Sequence, residues 1–189
     1  VNYSGTTLPL TVSAGSLTYT DYASSGIGNK LEIMNGSAED AYRSFTAQLP
    51  DANIYAACLM NVSTSTGLVA NTSTTGDYSI ALMPSSSTTL LVGRISLRTG
   101  SVANTFNIGL RATSSNTAAV WDATDYPVNT PVLVVLGYKL ITGNGNDTAR
   151  VWINPTPGSP EPTANLEQVS TLATDPADLG RFAIRQGTN

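Results

Sequence analysis

Residues 131–154 read PVLVVLGYKLITGNGNDTARVWIN. Two runs rich in Val, Leu, Ile, Tyr and Trp flank the step GNGN at 143–146. Asn and Gly tolerate the positive φ that a tight turn between antiparallel strands requires, so the stretch reads as a β-hairpin. Side chains alternate across a strand, which puts Ala149, Val151 and Ile153 on one face and Arg150, Trp152 and Asn154 on the other.

The same rhythm extends in both directions. DYSIALMP (77–84), LLVGRISLRTG (90–100), TFNIGLRATS (105–114), AAVWDATDYP (118–127) and RFAIRQG (181–187) are short extended segments separated by turn residues. That is the pattern of a meandering or Greek-key all-β protein. AYRSFTAQL (41–49) and NIYAACLMNVS (53–63), separated by PDA, read as an antiparallel pair, and the second, apolar at both parities, as a central strand covered on both faces. LPLTVSAGSLTYTDY (8–22) offers two extended pieces around Ala14-Gly15, and KLEIMNG (30–36) a strand ended by a turn at Asn35-Gly36. TSTGLVANTSTTG (64–76) is longer than a hairpin needs, hence a mobile or functional loop. The four prolines of 155–162 cannot pair within a sheet and mark an exposed loop, and one helical turn is expected near Asp175. No fixed-period repeat argues for a propeller or solenoid.

Composition narrows the function classes. The 189 residues suit one two-layer domain, with 12% charged residues and a formal net charge of −4, which argues against nucleic-acid partners. The chain has no histidine, so the usual Ser/His/Asp and Cys/His nucleophile systems and ordinary zinc sites are absent. Its single cysteine, Cys58, sits among apolar neighbours and reads as a core residue. No apolar run reaches the roughly 18 residues of a membrane-spanning helix, so no membrane insertion is expected. Low charge with abundant Ser, Thr and Asn correlates with secretion, and an extracellular or cell-surface location is expected. Asn-x-Ser/Thr triplets at Asn2, Asn35, Asn61, Asn71 and Asn146 matter only in a eukaryotic secretory pathway.

Taken in order, SGIGN, EDAYRSFTAQ, IYAACLMNV, GDYSIALMP, VGRISLRTG, FNIGLRATS, PVLVVLGYKLITGNGNDTARVWINPT and GRFAIRQG resemble secreted bacterial domains of the concanavalin A-like, or laminin G-like, jelly-roll type. The likeness runs from about Ser24 onward, and LVVLGYKL with ARVWINP carries most of it. It implies a two-sheet antiparallel jelly-roll sandwich, a fold used by lectins, adhesins and some glycoside hydrolases. It also implies one further strand at each end, and therefore a longer precursor with an open sheet edge that invites pairing.

Alternation supplies candidate binding residues. Ile95 and Leu97 leave Arg94, Ser96 and Arg98 on the opposite face; Phe106, Ile108 and Leu110 leave Asn107 and Arg111. Arg150, Trp152 and Arg185 also fall on polar strand faces. If these strands share a sheet, the face combines guanidinium forks, an indole and amides, suited to sugar rings and to carboxylate or sulfate groups. The alternative is that each arginine pairs with a nearby Asp or Glu at the surface. The paired-carboxylate run of jelly-roll hydrolases is absent, so catalysis is not expected. Asp77, Asn144, Asn146 and Asp147 could offer hard oxygen ligands to Ca²⁺, which laminin G-like relatives often carry at a loop edge; otherwise the GNGN step is simply the hairpin turn.

The sequence therefore leads to one jelly-roll domain over residues 1–189, a non-catalytic extracellular module that binds polysaccharide or mediates adhesion. The alternative is a structural subunit or processed fragment of a surface assembly, joined to a protein partner or to itself by strand addition.

Overall fold

The computed structural model describes residues 2–4, 9–23, 25–34 and 39–186. The strands are β1 (Asn2–Ser4), β2 (Thr11–Ala14), β3 (Asn29–Glu32), β4 (Asp40–Gln48), β5 (Asn53–Met60), β6 (Asp77–Met83) and β7 (Val92–Thr99). They continue with β8 (Thr105–Arg111), β9 (Val120–Trp121), β10 (Tyr126–Pro127), β11 (Val132–Lys139), β12 (Thr148–Ile153), β13 (Leu166–Val169) and β14 (Leu179–Arg185). The turn expected at Asn35-Gly36 and the last residue of RFAIRQG, Gly187, lie outside the described residues.

The protein is an all-β sandwich of antiparallel sheets. The larger sheet has eight strands in the order β1-β4-β14-β6-β7-β8-β10, with β9 also on β8; the smaller runs β13-β12-β11-β5. The strand latest in sequence, β14, lies between β4 and β6, antiparallel to both, with a register shift against β4 between Leu179 and Arg181. Between the sheets, Val132, Val134, Leu136 and Tyr138 of β11 pack in one core with Ile95 and Leu97 of β7 and Phe106, Ile108 and Leu110 of β8. Alternation places the β7 and β8 residues inward, as the sequence predicts. At Gly93 the β6–β7 register slips, the glycine adopts φ +57°, and a Cβ there would lie 3.2 Å from Leu136. A bulge residue at positive φ under the opposite sheet has to be glycine.

The hairpin over 131–154 forms as expected: β11 and β12 pair from Val134–Ile153 through Lys139–Thr148. Three other expectations are corrected. β4 and β5 do not pair, because the turn at 49–52 carries the chain from the larger sheet to the smaller one. Nor is β5 central: among the described residues it pairs with β11 alone and forms an edge. Its two apolar parities reflect the core on one side and contact with the outer face of β11 on the other. Near Asp175 there is no helical turn, because its carboxylate accepts from the Asn146 N–H and the Ser170 hydroxyl, leaving a bend.

Over the outer face of the smaller sheet the Pro-rich loop closes on Trp152, whose Nε1 donates to the Pro162 carbonyl (2.8 Å). The ring lies across Gly137, where a Cβ would approach it to 2.7 Å. Gly137→Ala should therefore cost about 1–3 kcal/mol through overpacking. Urea unfolding followed by tryptophan emission measures the loss, and an unchanged midpoint would mean that the ring has room to move.

Candidate functional site

The outward side of the larger sheet gathers most of the cationic groups. Cross-strand pairing puts Arg94 beside Arg111, Ser96 beside Gly109 and Arg98 beside Asn107 on β7 and β8. Tyr78 of β6 pairs with Ser96, and on β14 Arg181, Ala183 and Arg185 alternate onto the same side, opposite the inward Phe182. Beneath them Ala81, Met83, Leu91 and Ala183 make a small apolar floor against which Tyr42 and Tyr78 pack. Five of the nine basic residues of the chain (Arg94, Arg98, Arg111, Arg181 and Arg185) thus share one face of a protein whose net charge is −4.

These arginines are held by aromatic rings and backbone carbonyls. The guanidinium of Arg94 lies 4.6 Å from the Tyr78 ring centre and that of Arg185 4.5 Å from the same ring. Arg98 stacks at 4.0 Å on Trp121, and Arg181 at 4.5 Å on Tyr42. Arg94 donates to the Leu91 carbonyl, Arg98 to Ser73, Arg111 to Asn116 and Ser114, and Arg181 to Ser87. Among the described residues, only Arg185 of the five forms an ion pair, with Asp40 at 3.6 Å. Contact ion pairing of every arginine is therefore not what these residues do, although Asp125 attracts Arg98 and Arg181 attracts Asp178 at longer range.

Crowding of like charge is felt at the centre. Burial lowers the pKa of Arg94, Tyr78 opposes the shift, and Arg111 and Arg185 add to it. Burial also lowers that of Arg98, against the pull of Asp125. A guanidinium nonetheless remains charged at any physiological pH. Arg94 forms the floor at 7% exposure, whereas Arg98, Arg111, Arg181 and Arg185 are half-buried with their edges reaching solvent.

One end of the face is built around Trp121. It pairs with Gly109, and a Cβ on that glycine would meet the ring at 2.7 Å, so the indole lies flat on the strand. The 64–76 loop forms the rim, accepting from Arg98 at Ser73 and from the Trp121 indole at Thr74 (3.3 Å). Asp125 receives the Ser101 and Val102 N–H groups, the Ser101 hydroxyl and Asn107 Nδ2. Bonds from the Ser101 hydroxyl and N–H lead in holding its carboxyl below the usual range. The network locks Asn107 beside Arg98, which donates to its Oδ1 at 3.4 Å.

Arg94, Arg98, Asn107, Arg111 and Arg185 are thus brought together as the alternation predicts, while Arg150 and Trp152 belong to the other sheet. Arg150 pairs with Glu167 at 2.5 Å, and Trp152, 3% exposed beneath the Pro-rich loop, faces Tyr55 at 5.8 Å. Parity fixes which face of a strand a residue takes and leaves open which sheet the strand joins. Tyr42, Tyr78, Trp121 and Arg181 complete the face and were not singled out from sequence. Arg181 alone carried a signal, its alternation with Phe182.

The oxygen donors proposed for Ca²⁺ are divided. Asp77 begins β6, and Asn144, Asn146 and Asp147 lie in the β11–β12 turn on the other sheet. Asp147 accepts from the Ile141 N–H (2.8 Å) and the Tyr138 hydroxyl (3.2 Å), and Asn144 Oδ1 accepts from the Asp175 N–H (3.3 Å), so the oxygens hold the turn. Asn146 Oδ1 and Asp77 Oδ2 are buried without a partner among the described residues, and no three acidic, His or Cys groups there converge on a common point.

Burial, with Asp175 adding, raises the Asp147 carboxyl above 3.8 despite the bonds from Ile141 and Tyr138. A carboxyl raised by folding contributes stability that is present below its unfolded pKa and lost as pH rises through its folded pKa. Relative to Asp147→Asn, the wild type should therefore lose ground between about pH 3 and about pH 7. Thermal melts of both proteins at the two pH values test this, and a shift in favour of the wild type would contradict it.

No family model matches the chain, and no curated protein matches it. Among solved structures it is similar to an endo-β-1,4-glucuronan lyase from the fungus Trichoderma reesei, with 10% identity and a TM-score of 0.46 over 99% of this chain and 79% of that one. At that level of similarity no activity passes from the enzyme to this protein.

Proposed function

We propose that this protein is a non-catalytic extracellular module that holds an acidic polysaccharide on the outer face of its larger sheet. The observation that carries the reading is the arginine cluster whose members bond to carbonyls and aromatic rings while only Arg185 forms an ion pair among the described residues. A guanidinium stacked on a ring keeps N–H donors in its own plane, and these fit uronate carboxylates or sulfate esters in a bidentate manner. The half-buried Trp121 and Tyr78, each carrying guanidinium on its ring, hold those donors in place at the surface.

Calorimetric titration with polygalacturonate, dextran sulfate and neutral dextran tests the proposal. Binding to the two polyanions that weakens with salt, none to dextran, and unchanged polymer length are expected. Equal affinity for dextran, or depolymerisation of any of the three, would overturn it.

A further inference from the structure

One edge of the sandwich lacks the features that keep edges single. β5 runs eight residues, Asn53–Met60, with no charge and no proline, and its register with β11 is unbroken from Asn53–Lys139 to Met60–Val132. Among the other described edges, β10 has two residues and β13 four, with Glu167 among them, while the part of β4 that β1 leaves uncovered, beyond Ala41, carries the charge of Arg43. A long, flat, uncharged edge presents a row of unpaired backbone groups and is a template for another strand.

We propose that β5 pairs with β5 of a second copy of this chain, antiparallel about a two-fold axis at Ala57, so that the two smaller sheets become one continuous sheet. Self-complementarity argues for a second copy as the occupant. With the axis at Ala57, Tyr55 of one copy meets Leu59 of the other on the outer face, and Ile54 meets Met60 on the core side. At the centre the small residues Ala56 and Cys58 face each other, and Ala57 faces itself. Large side chains therefore pair with large ones at the flanks, the kind of cross-strand contact that stabilises sheets, and backbones can approach at the middle. Tyr55, at 54% exposure, and the partly buried Cys58, Leu59 and Met60 all gain cover. The charges near the strand are compatible with pairing: the Glu161 carboxylate that accepts from the Tyr55 hydroxyl lies on the outer face, the flanking Asp51 falls opposite Ser63 of the other copy, and the two Asp51 residues stand about 40 Å apart at strand rise.

The axis is perpendicular to the sheets, so the outer faces of both larger sheets look the same way. If they hold polysaccharide as proposed above, one polymer can engage both, and the second contact becomes intramolecular. The pairing itself does not rest on that reading.

Light scattering of the wild type should give about twice the 19.7 kDa chain mass. Ala57→Lys, at an exposed site, sets two like charges directly opposite each other and should return the mass to that of one chain. Ala57→Cys should form an interchain disulfide on mild oxidation, since facing residues lie within bridging distance. Asn53→Cys, whose counterpart lies far along the strand, should not. A wild type that stays monomeric, a dimer that survives Ala57→Lys, or equal cross-linking of the two cysteine variants would each overturn the proposal.

Discussion

Replacing Arg98 and Arg185 together by alanine should weaken binding of polygalacturonate about 100-fold or more, with little change in the unfolding midpoint. Hydrogen bonds to charged groups contribute about 1.5–3 kcal/mol each, and each 1.4 kcal/mol is tenfold in affinity. Both side chains are half-buried at the surface and stack on rings that can stay in place without them: Trp121 lies flat on Gly109, and Tyr78 remains packed on the apolar floor and under Arg94. A purely structural role for these arginines predicts the reverse, with stability lost and affinity kept. Calorimetry and urea unfolding on the same preparations separate the two. The Arg150→Ala variant is the natural control, since Arg150 sits on the other sheet, paired with Glu167, and should bind as the wild type does.

The largest effect on stability is expected at Phe106. Its side chain is fully buried in the core, 5.8 Å from the Tyr126 ring, beneath the β11 residues. Phe106→Ala removes a ring that its neighbours cannot replace without moving, at a cost of about 3–5 kcal/mol. Against a total of about 5–15 kcal/mol for a typical domain, that is a large fraction. Urea unfolding should show a lower midpoint with an unchanged slope. A loss below about 1 kcal/mol would mean that the two sheets can collapse onto the gap.

How much of this could be read from the residues depends on the kind of contact. Alternation in VGRISLRT and TFNIGLR gave the inward Ile95, Leu97, Phe106, Ile108 and Leu110 and, by the same reasoning, the outward Arg94, Arg98, Asn107 and Arg111. These are properties of single strands, and period two is enough to see them. Partnership between strands is not local. β5 reads as a central strand because its sequence is apolar on both sides, yet it forms an edge, since burial on a face says nothing of pairing along the side. Arg150 and Trp152 alternate correctly but join the smaller sheet. Trp121 lies in a two-residue strand, too short for any periodicity, and its role depends on Gly109, a neighbour across the sheet. Tyr78 reaches both Arg94 and Arg185 next to a register slip between Tyr78 and Ile80 that no pattern in DYSIALM announces. The fold class follows from turn spacing and alternation, whereas the site follows from strand order and bulges.

The two tryptophans offer a direct test of which face is used. Trp121 lies on the outer side of the larger sheet under Arg98, and Trp152 lies beneath the Pro-rich loop on the smaller sheet. A ¹⁵N-labelled sample therefore has two indole N–H signals, one reporting each face. Titration with an oligogalacturonate should move the Trp121 signal, together with the amides of β7 and β8, and leave Trp152 in place. Movement of Trp152 with Trp121 unchanged, or no movement of either at saturating ligand, would contradict the assignment of the larger sheet's outer face as the binding surface.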